Sequence, residues 1–230
     1  NSSQAWLESQ VVERAGGDPL RLEDFRGTYC VGGIDLSRTT DLTACCVVIE
    51  RAGRLNVFAQ FFLPEERIQE ATDRDGLPYQ AYIERGLLTP SGDNFVDYHD
   101  CLKWFRRLVE EYQIYPLQVG YDRYTAQYLV QEMKQYGFHM DDVWQGFNLT
   151  PVILETEGLL KDGAFTIGDN DLLKVHLLDT ALKKEAESGR CKAVKMAPTA
   201  HIDGAAALLD AMTVRQKYYA EISGQLKNGG

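Results

Sequence analysis

Three aspartates stand where carboxylates from distant parts of the chain could share one reaction centre. Asp35 ends the apolar run 29–34, Asp122 ends the run 117–121, and Asp203 opens an alanine-rich stretch, 203–212. The two runs read as strands and the stretch as a helix. If the strands lie side by side and parallel, both carboxylates leave the sheet at one edge. A helix starting there adds the third acid at the positive end of its dipole. Acids so close repel one another unless cations sit among them, and oxygen ligands of this kind suit Mg2+ or Mn2+. Taken singly, each has an ordinary reading, because an Asp after a strand forms turns and an Asp opening a helix caps it. Their shared edge is what points to metal-dependent chemistry. Asp210 lies seven residues after Asp203, about 10 Å along the helix, and on that distance is set aside as a ligand of the same metal.

The elements that must position these acids follow from hydropathy and turn residues. Residues 4–14 read as an amphipathic helix with Trp6, Leu7, Val11 and Val12 on one side, a connector outside the core. Strand 29–35, the polar turn 37–41, strand 42–50 and strand 54–63 form an antiparallel meander. Helices are predicted over 64–73, 79–85 and 97–113, then strand 117–122 and helix 125–136, which Gly137 ends. Helices 151–162 and 171–187, a strand at 191–196 and the helix from Asp203 complete the core. The polar tail after Lys217 is expected to fray. This order predicts an α/β fold: a mixed sheet, an antiparallel three-strand meander plus parallel strands, flanked by helices.

Composition narrows the function classes. A chain of 230 residues suits one sizeable domain. With 24 Lys and Arg against 34 Asp and Glu, the net charge of −10 argues against a protein that coats nucleic acid. It leaves open an enzyme whose carboxylates hold metal. Lys183, Lys184, Arg190, Lys192 and Lys195 nevertheless cluster, either as an edge for phosphates or as solvated charge. Cys30, Cys45, Cys46, Cys101 and Cys191 form no C-x-x-C pair and read as small hydrophobes in a reducing compartment. No apolar run is long enough to span a membrane. No G-x-x-x-x-G-K-[ST] phosphate loop is present.

Three runs carry a family resemblance. GIDLSRTTDLTA (33–44) resembles the first nuclease motif of phage terminase large subunits, an Asp-ending strand with a Ser/Thr-rich turn and a second Asp. VGYDRYTAQYLVQEMKQYG (119–137) is similar to the strand–Asp–helix segment that follows, and HIDGAAALLDAM (201–212) to the closing motif. The resemblance covers about residues 25–215. It implies a ribonuclease H-like endonuclease that cuts concatemeric double-stranded DNA during genome packaging in the cytoplasm of a bacterial host. The implied partners are DNA, the small terminase subunit, the portal protein and the subunit's own ATPase domain. Residues 1–24 would link to that ATPase, residues 25–217 would be the nuclease, and 218–230 a flexible tail.

The same resemblance implies roles. Asp35, Asp122 and Asp203 would hold two Mg2+ or Mn2+ ions for in-line phosphodiester hydrolysis, Asp35 bridging them. Asp41 falls on a nearby acidic position that either binds a metal or braces the turn. Arg38, Arg123 and Lys195, close to the acids in sequence, either grip flanking phosphates or are solvated charges. His201 is either a loop residue or one that orients a metal-bound water. Other readings remain open at this point. The Ser/Thr-rich turn also resembles the phosphate hairpin of actin-like ATPases and sugar kinases, which ATP binding would reveal. A non-catalytic docking module of the packaging machine would lack nuclease activity. A junction resolvase or transposase-type nuclease would prefer branched DNA.

Overall fold

The structure, a computed structural model, describes residues 3–36 and 42–228; Arg38 and Asp41 lie outside the described residues. The chain runs β1 (Ser3–Ala5), α1 (Ser9–Ala15), β2 (Tyr29–Asp35), β3 (Thr43–Arg51), β4 (Arg54–Leu63), α2 (Ile68–Asp75) and α3 (Tyr79–Glu84). It continues through β5 (Leu88–Pro90), α4 (His99–Tyr112), β6 (Tyr115–Asp122), α5 (Gln127–Tyr136), β7 (Met140–Val143) and α6 (Thr150–Lys161). Last come β8 (Phe165–Thr166), α7 (Asp171–Leu178), β9 (Thr180–Lys184), β10 (Cys191–Lys195) and α8 (Asp203–Asn228).

Among the described residues the main sheet runs β5-β4-β3-β2-β6-β7, with β8 beside the start of β4. The meander β2–β3–β4 is antiparallel, while β6 joins β2 in parallel and β7 joins β6 in parallel. This is the mixed sheet that the strand order predicts. A second, three-stranded sheet, β1-β9-β10, lies apart from it.

Period-two alternation decides what each face meets. Cys30, Ile34, Cys45, Val47 and Ile49 point into a core with Phe105 and Leu108 of α4 and Leu129, Val130 and Met133 of α5. Val31, Ala44, Cys46 and Val48 point the other way, into the larger core with α8, α6 and α7. On that face α8 lies flush on the sheet. A Cβ on Gly33 would stand 1.9 Å from the carbonyl oxygen of Ala207, and one on Gly120 would stand 2.4 Å from that of Asp210. Glycines on the strands and alanines on the helix allow that approach. Farther along, Arg215 ties α8 to Glu50 of β3 at 3.2 Å and to Glu155 of α6 at 3.4 Å.

Three expectations are corrected. Residues 4–14 are not one helix. Ser3–Ala5 pairs antiparallel with β9, α1 starts at Ser9, and Trp6, Leu7, Val12 and Ala15 are buried in the larger core. The segment is therefore part of the folded body rather than a connector outside it. The helix expected over 171–187 stops at Leu178, because Thr180–Lys184 is taken up between β1 and β10. Those partners are remote in sequence, and helical periodicity gives no sign of them. Finally, α8 does not fray after Lys217. It runs to Asn228, and Ile222 and Leu226, four positions apart, are buried in the core. All five cysteines are free and buried.

Candidate active site

The acids come together because of alternation on two strands and periodicity on one helix. In β2, Gly33 faces α8, so Asp35, two residues on, faces the same way. In β6, Gly120 faces α8, and Asp122 follows it. Gly33 is paired with Gly120 and Ile34 with Tyr121 in the parallel register, so Asp35 and Asp122 leave the sheet side by side at its C-terminal edge. Asp203 opens α8 above that edge.

The electrostatics record this proximity. Burial, then the nearby carboxylates of Asp203, Asp210 and Asp122, push the Asp35 carboxyl well above the ordinary range. The carboxyls of Asp35 and Asp203 lie within hydrogen-bonding reach of each other. Asp203 Oδ2 also accepts from the Leu42 backbone N–H at 3.2 Å, which ties the helix start to the entry of β3. Asp122 Oδ1 accepts from the backbone N–H of Tyr124 at 2.8 Å, a turn that fixes the carboxylate at the strand end.

Sequence reasoning missed three participants. Asp210, set aside on distance from Asp203, is fully buried and close enough to Asp35 to raise its pKa. Its own pKa is raised well above the ordinary value by burial, despite a bond from Gln145. The missed signal is helical spacing, since positions 203, 207, 210 and 214 line one face of α8 and Asp35 meets that face from below. Gln145 Nε2 donates to Asp210 Oδ1 at 2.5 Å, while Asp210 Oδ2 has no hydrogen-bond partner among the described residues. An orphaned carboxylate oxygen in a buried acidic cluster is what a site made for a cation leaves when the cation is absent.

The third participant is Asp75 at the end of α2. His201, two residues before Asp203, is buried and bonded through Nε2 to Asp75 Oδ2 at 2.9 Å, across 126 positions of sequence. Arg74 and the Tyr79 hydroxyl also donate to Asp75, at 2.8 and 2.7 Å. His201 thus anchors the approach to α8. Burial pushes the Asp75 carboxyl up, but the bonds from Arg74, Tyr79 and His201 outweigh it and hold the pKa below the usual value. A carboxylate depressed in the fold adds stability that is full above its unfolded pKa and is lost as pH falls through the folded one. Asp75→Asn is therefore expected to cost about 2 kcal/mol at neutral pH. Its deficit against wild type should shrink below about pH 4, as urea unfolding at pH 7 and pH 3 would read. A deficit that stays constant with pH would contradict this account.

The expected basic contacts divide. Arg123 follows Asp122, and its guanidinium lies over the Tyr124 ring at 5.2 Å and the Trp144 ring at 5.1 Å. Lys195 ends β10 in the second sheet, opposite Thr180 and joined to α8 by the loop 196–202. Arg38 and Asp41 fall outside the described residues. Among the described residues no group of three or more His, Cys, Asp or Glu side chains is placed to hold a metal ion. The Asp35–Asp203 pair is in contact, and Asp122 and Asp210 flank it.

Comparison with known proteins gives the same picture at the level of the fold. A family model described as "Terminase large subunit, endonuclease domain" matches residues 1–218. The large terminase subunit of Enterobacteria phage HK97 is 26% identical over 207 residues, covering 88% of this chain. The chain spans 40% of that relative's length. The crystal structure of the HK97 bacteriophage large terminase superposes with a TM-score of 0.80 at 23% identity, over 93% of this chain and 44% of that one. The large terminase nuclease of thermophilic phage G20c superposes with a TM-score of 0.59 at 13% identity, over 91% and 98% of the two chains. The G20c nuclease was also solved with bound magnesium, with a TM-score of 0.56 at 12% identity over 93% and 98% of the chains.

Proposed function

Because this chain belongs to the family of terminase large subunit endonuclease domains, we propose that it is the part of such a subunit that cuts double-stranded DNA, using divalent cations held by Asp35, Asp122 and Asp203. The observation that carries this reading is the parallel register that brings Asp35 and Asp122 to one sheet edge, where Asp203 opens α8 and the Asp35 pKa is raised by its acidic neighbours. Buried carboxyls that raise the pKa of Asp35 between them are a poor way to stabilise a fold. They are a good way to receive positive charge.

The donor set fits the cation class. Hard carboxylate oxygens, few in number and gathered at one sheet edge, suit Mg2+ or Mn2+, which complete their shells with waters and phosphate oxygens. When bound, such cations supply an activated water and neutralise charge on the phosphate as its bond to the leaving oxygen breaks.

The chain's own residues do the positioning. Asp35, whose carboxyl is pushed up by Asp203, Asp210 and Asp122 together, would be the central ligand. Asp122 is held by the turn to Tyr124, and Asp203 by the bond from Leu42. Asp210, buried and bonded to Gln145, is a fourth carboxyl close to Asp35. Arg123, beside Asp122, grips a flanking phosphate. Asp41 keeps its two readings, metal ligand or brace of the turn, and Arg38 and Lys195 keep theirs, phosphate contact or solvated charge.

In a full-length subunit an ATPase domain would drive DNA past this site, in the host cytoplasm, with the small subunit and portal as docking partners. No helix among the described residues is long and apolar enough to cross a membrane. The direct test is incubation of the chain with supercoiled plasmid in Mn2+ or Mg2+. Conversion to nicked and linear forms, stopped by EDTA, is expected. Intact plasmid in both metals would overturn the catalytic reading in favour of a docking module.

A further inference from the structure

Beside the acidic edge lies a cleft of about 390 Å3 lined by Trp144, Gln145, Gly146, Phe147, Asn148, Arg190 and Lys192. Its composition differs from that of the acidic molecule around it, for no carboxylate lines it. The Phe147 ring carries Lys192 at 5.1 Å and Arg190 at 5.9 Å. Trp144 is 61% exposed, with Arg123 over its ring at 5.1 Å. Arg190 also pairs with Glu185 at 3.0 Å, an exposed contact that a phosphate can replace at little cost.

The cleft adjoins the site by construction. Val143, at the end of β7, pairs with Asp122, and its carbonyl accepts from the backbone N–H of Arg123 at 3.1 Å. Trp144 therefore follows directly on the strand neighbouring Asp122, about 4.8 Å away across the sheet. Gln145, the next residue, is the one bonded to Asp210. An exposed ring, Trp144, and a half-buried one, Phe147, interleaved with cations make a composition that binds unpaired nucleic acid, rings stacking bases and cations holding phosphates. A closed duplex presents phosphates and groove edges but no free base face for a ring to stack on.

Resting on the nuclease reading, the geometry points to this cleft as a subsite for an unpaired stretch of DNA strand next to the scissile phosphate. A base stacks on Trp144, and the backbone runs along Arg123, Arg190 and Lys192. The site thereby favours strands that are frayed or locally opened over intact duplex.

The experiment is an equilibrium titration of the chain in EDTA with an oligo(dT) of about 12 nucleotides and with a hairpin duplex of closed ends. Binding is read by anisotropy of the labelled DNA and by quenching of tryptophan fluorescence. Oligo(dT) is expected to quench the fluorescence and to bind more tightly than the closed duplex. Trp144→Ala is expected to weaken oligo(dT) binding about tenfold, with Trp144→Tyr restoring most of it. An unchanged affinity in Trp144→Ala, or equal binding of closed duplex, would overturn the subsite. Trp144 is a surface residue, so both variants fold, which circular dichroism checks. Because binding is read without metal and cutting with it, the two proposals fail separately. A chain that nicks plasmid but ignores oligo(dT) sinks only the cleft, and one that binds oligo(dT) but never nicks sinks only the catalytic assignment.

Discussion

Asp35→Asn is expected to lower metal-dependent plasmid cleavage by about 10^3-fold or more while leaving the fold intact. The size follows from the several kcal/mol that a bound cation contributes to a phosphoryl transition state, each 1.36 kcal/mol being about tenfold in rate. Asparagine keeps the shape of the side chain but removes the charge that would hold the cation. The same variant makes a second, opposite-signed prediction for the metal-free chain. Burial and the neighbouring acids raise the Asp35 pKa in the folded state. Its contribution to stability is therefore full below the unfolded pKa and declines as pH rises toward the folded one. Above the unfolded pKa the buried carboxyl of Asp35 costs stability relative to a neutral side chain, and asparagine removes that cost. Metal-free Asp35→Asn should melt no lower than metal-free wild type, whereas in saturating Mn2+ the order should reverse. Undiminished cleavage would remove Asp35 from the centre. A lower melting temperature in EDTA would show that repulsion among the acids had been misjudged.

The second large effect comes from a residue with no side chain. Gly33→Ala would place a methyl group 1.9 Å from the Ala207 carbonyl oxygen and 2.8 Å from the Ala211 nitrogen, both on the backbone of α8. No rotamer relieves a clash with main chain, so the helix must lift by about 1 Å. Overpacking of that kind costs about 3 kcal/mol, which for a domain of this size lowers the melting temperature by about 6–12 °C. The helix carries Asp203 and Asp210, so lifting it also spreads the acids. A displacement of about 1 Å in a catalytic constellation costs about 10^2-fold in rate. Gly158→Ala supplies the contrast, since a Cβ there meets nothing within 4 Å and the residue lies within α6. That variant should be neutral or stabilised by about 0.5–1 kcal/mol. Scanning calorimetry with plasmid cleavage reads both. Equal stability of the two glycine variants would mean that the flush seat of α8 matters little.

These two effects share one origin, which is how α8 is seated. A bulky residue at Gly33 or Gly120 would hold the helix off the sheet, and the carboxyl of Asp35 would then face water instead of Asp203. The same seating explains why Asp210, two helical turns from Asp203, reaches Asp35 although the two α8 acids are too far apart to share one ligand position. Asp35 approaches the helix from the strand side, between them.

Local pattern alone determined much of this protein. The apolar runs of β2, β3 and β4, separated by short turns such as Ala52 and Gly53, specify a meander whose two faces are both covered by core. The helical periods of 97–113 and 125–136 are likewise local, as is the placing of Asp35, Asp122 and Asp203 at element ends. Only the tertiary structure decided which partners these elements find. Ser3–Ala5 and Thr180–Lys184 are strands because each lies against the other, and five-residue windows contain nothing of a neighbour some 177 positions away. Asp75 meets His201, and Gln145 meets Asp210, for the same reason. Backbone hydrogen bonds and close packing are satisfied between segments, so their energies depend on coordinates rather than on spacing. The acids could be picked out from the chain, but the carboxyl between them, the glutamine bonded to it and the aromatic cleft at their side became visible only when the strands and α8 were brought together.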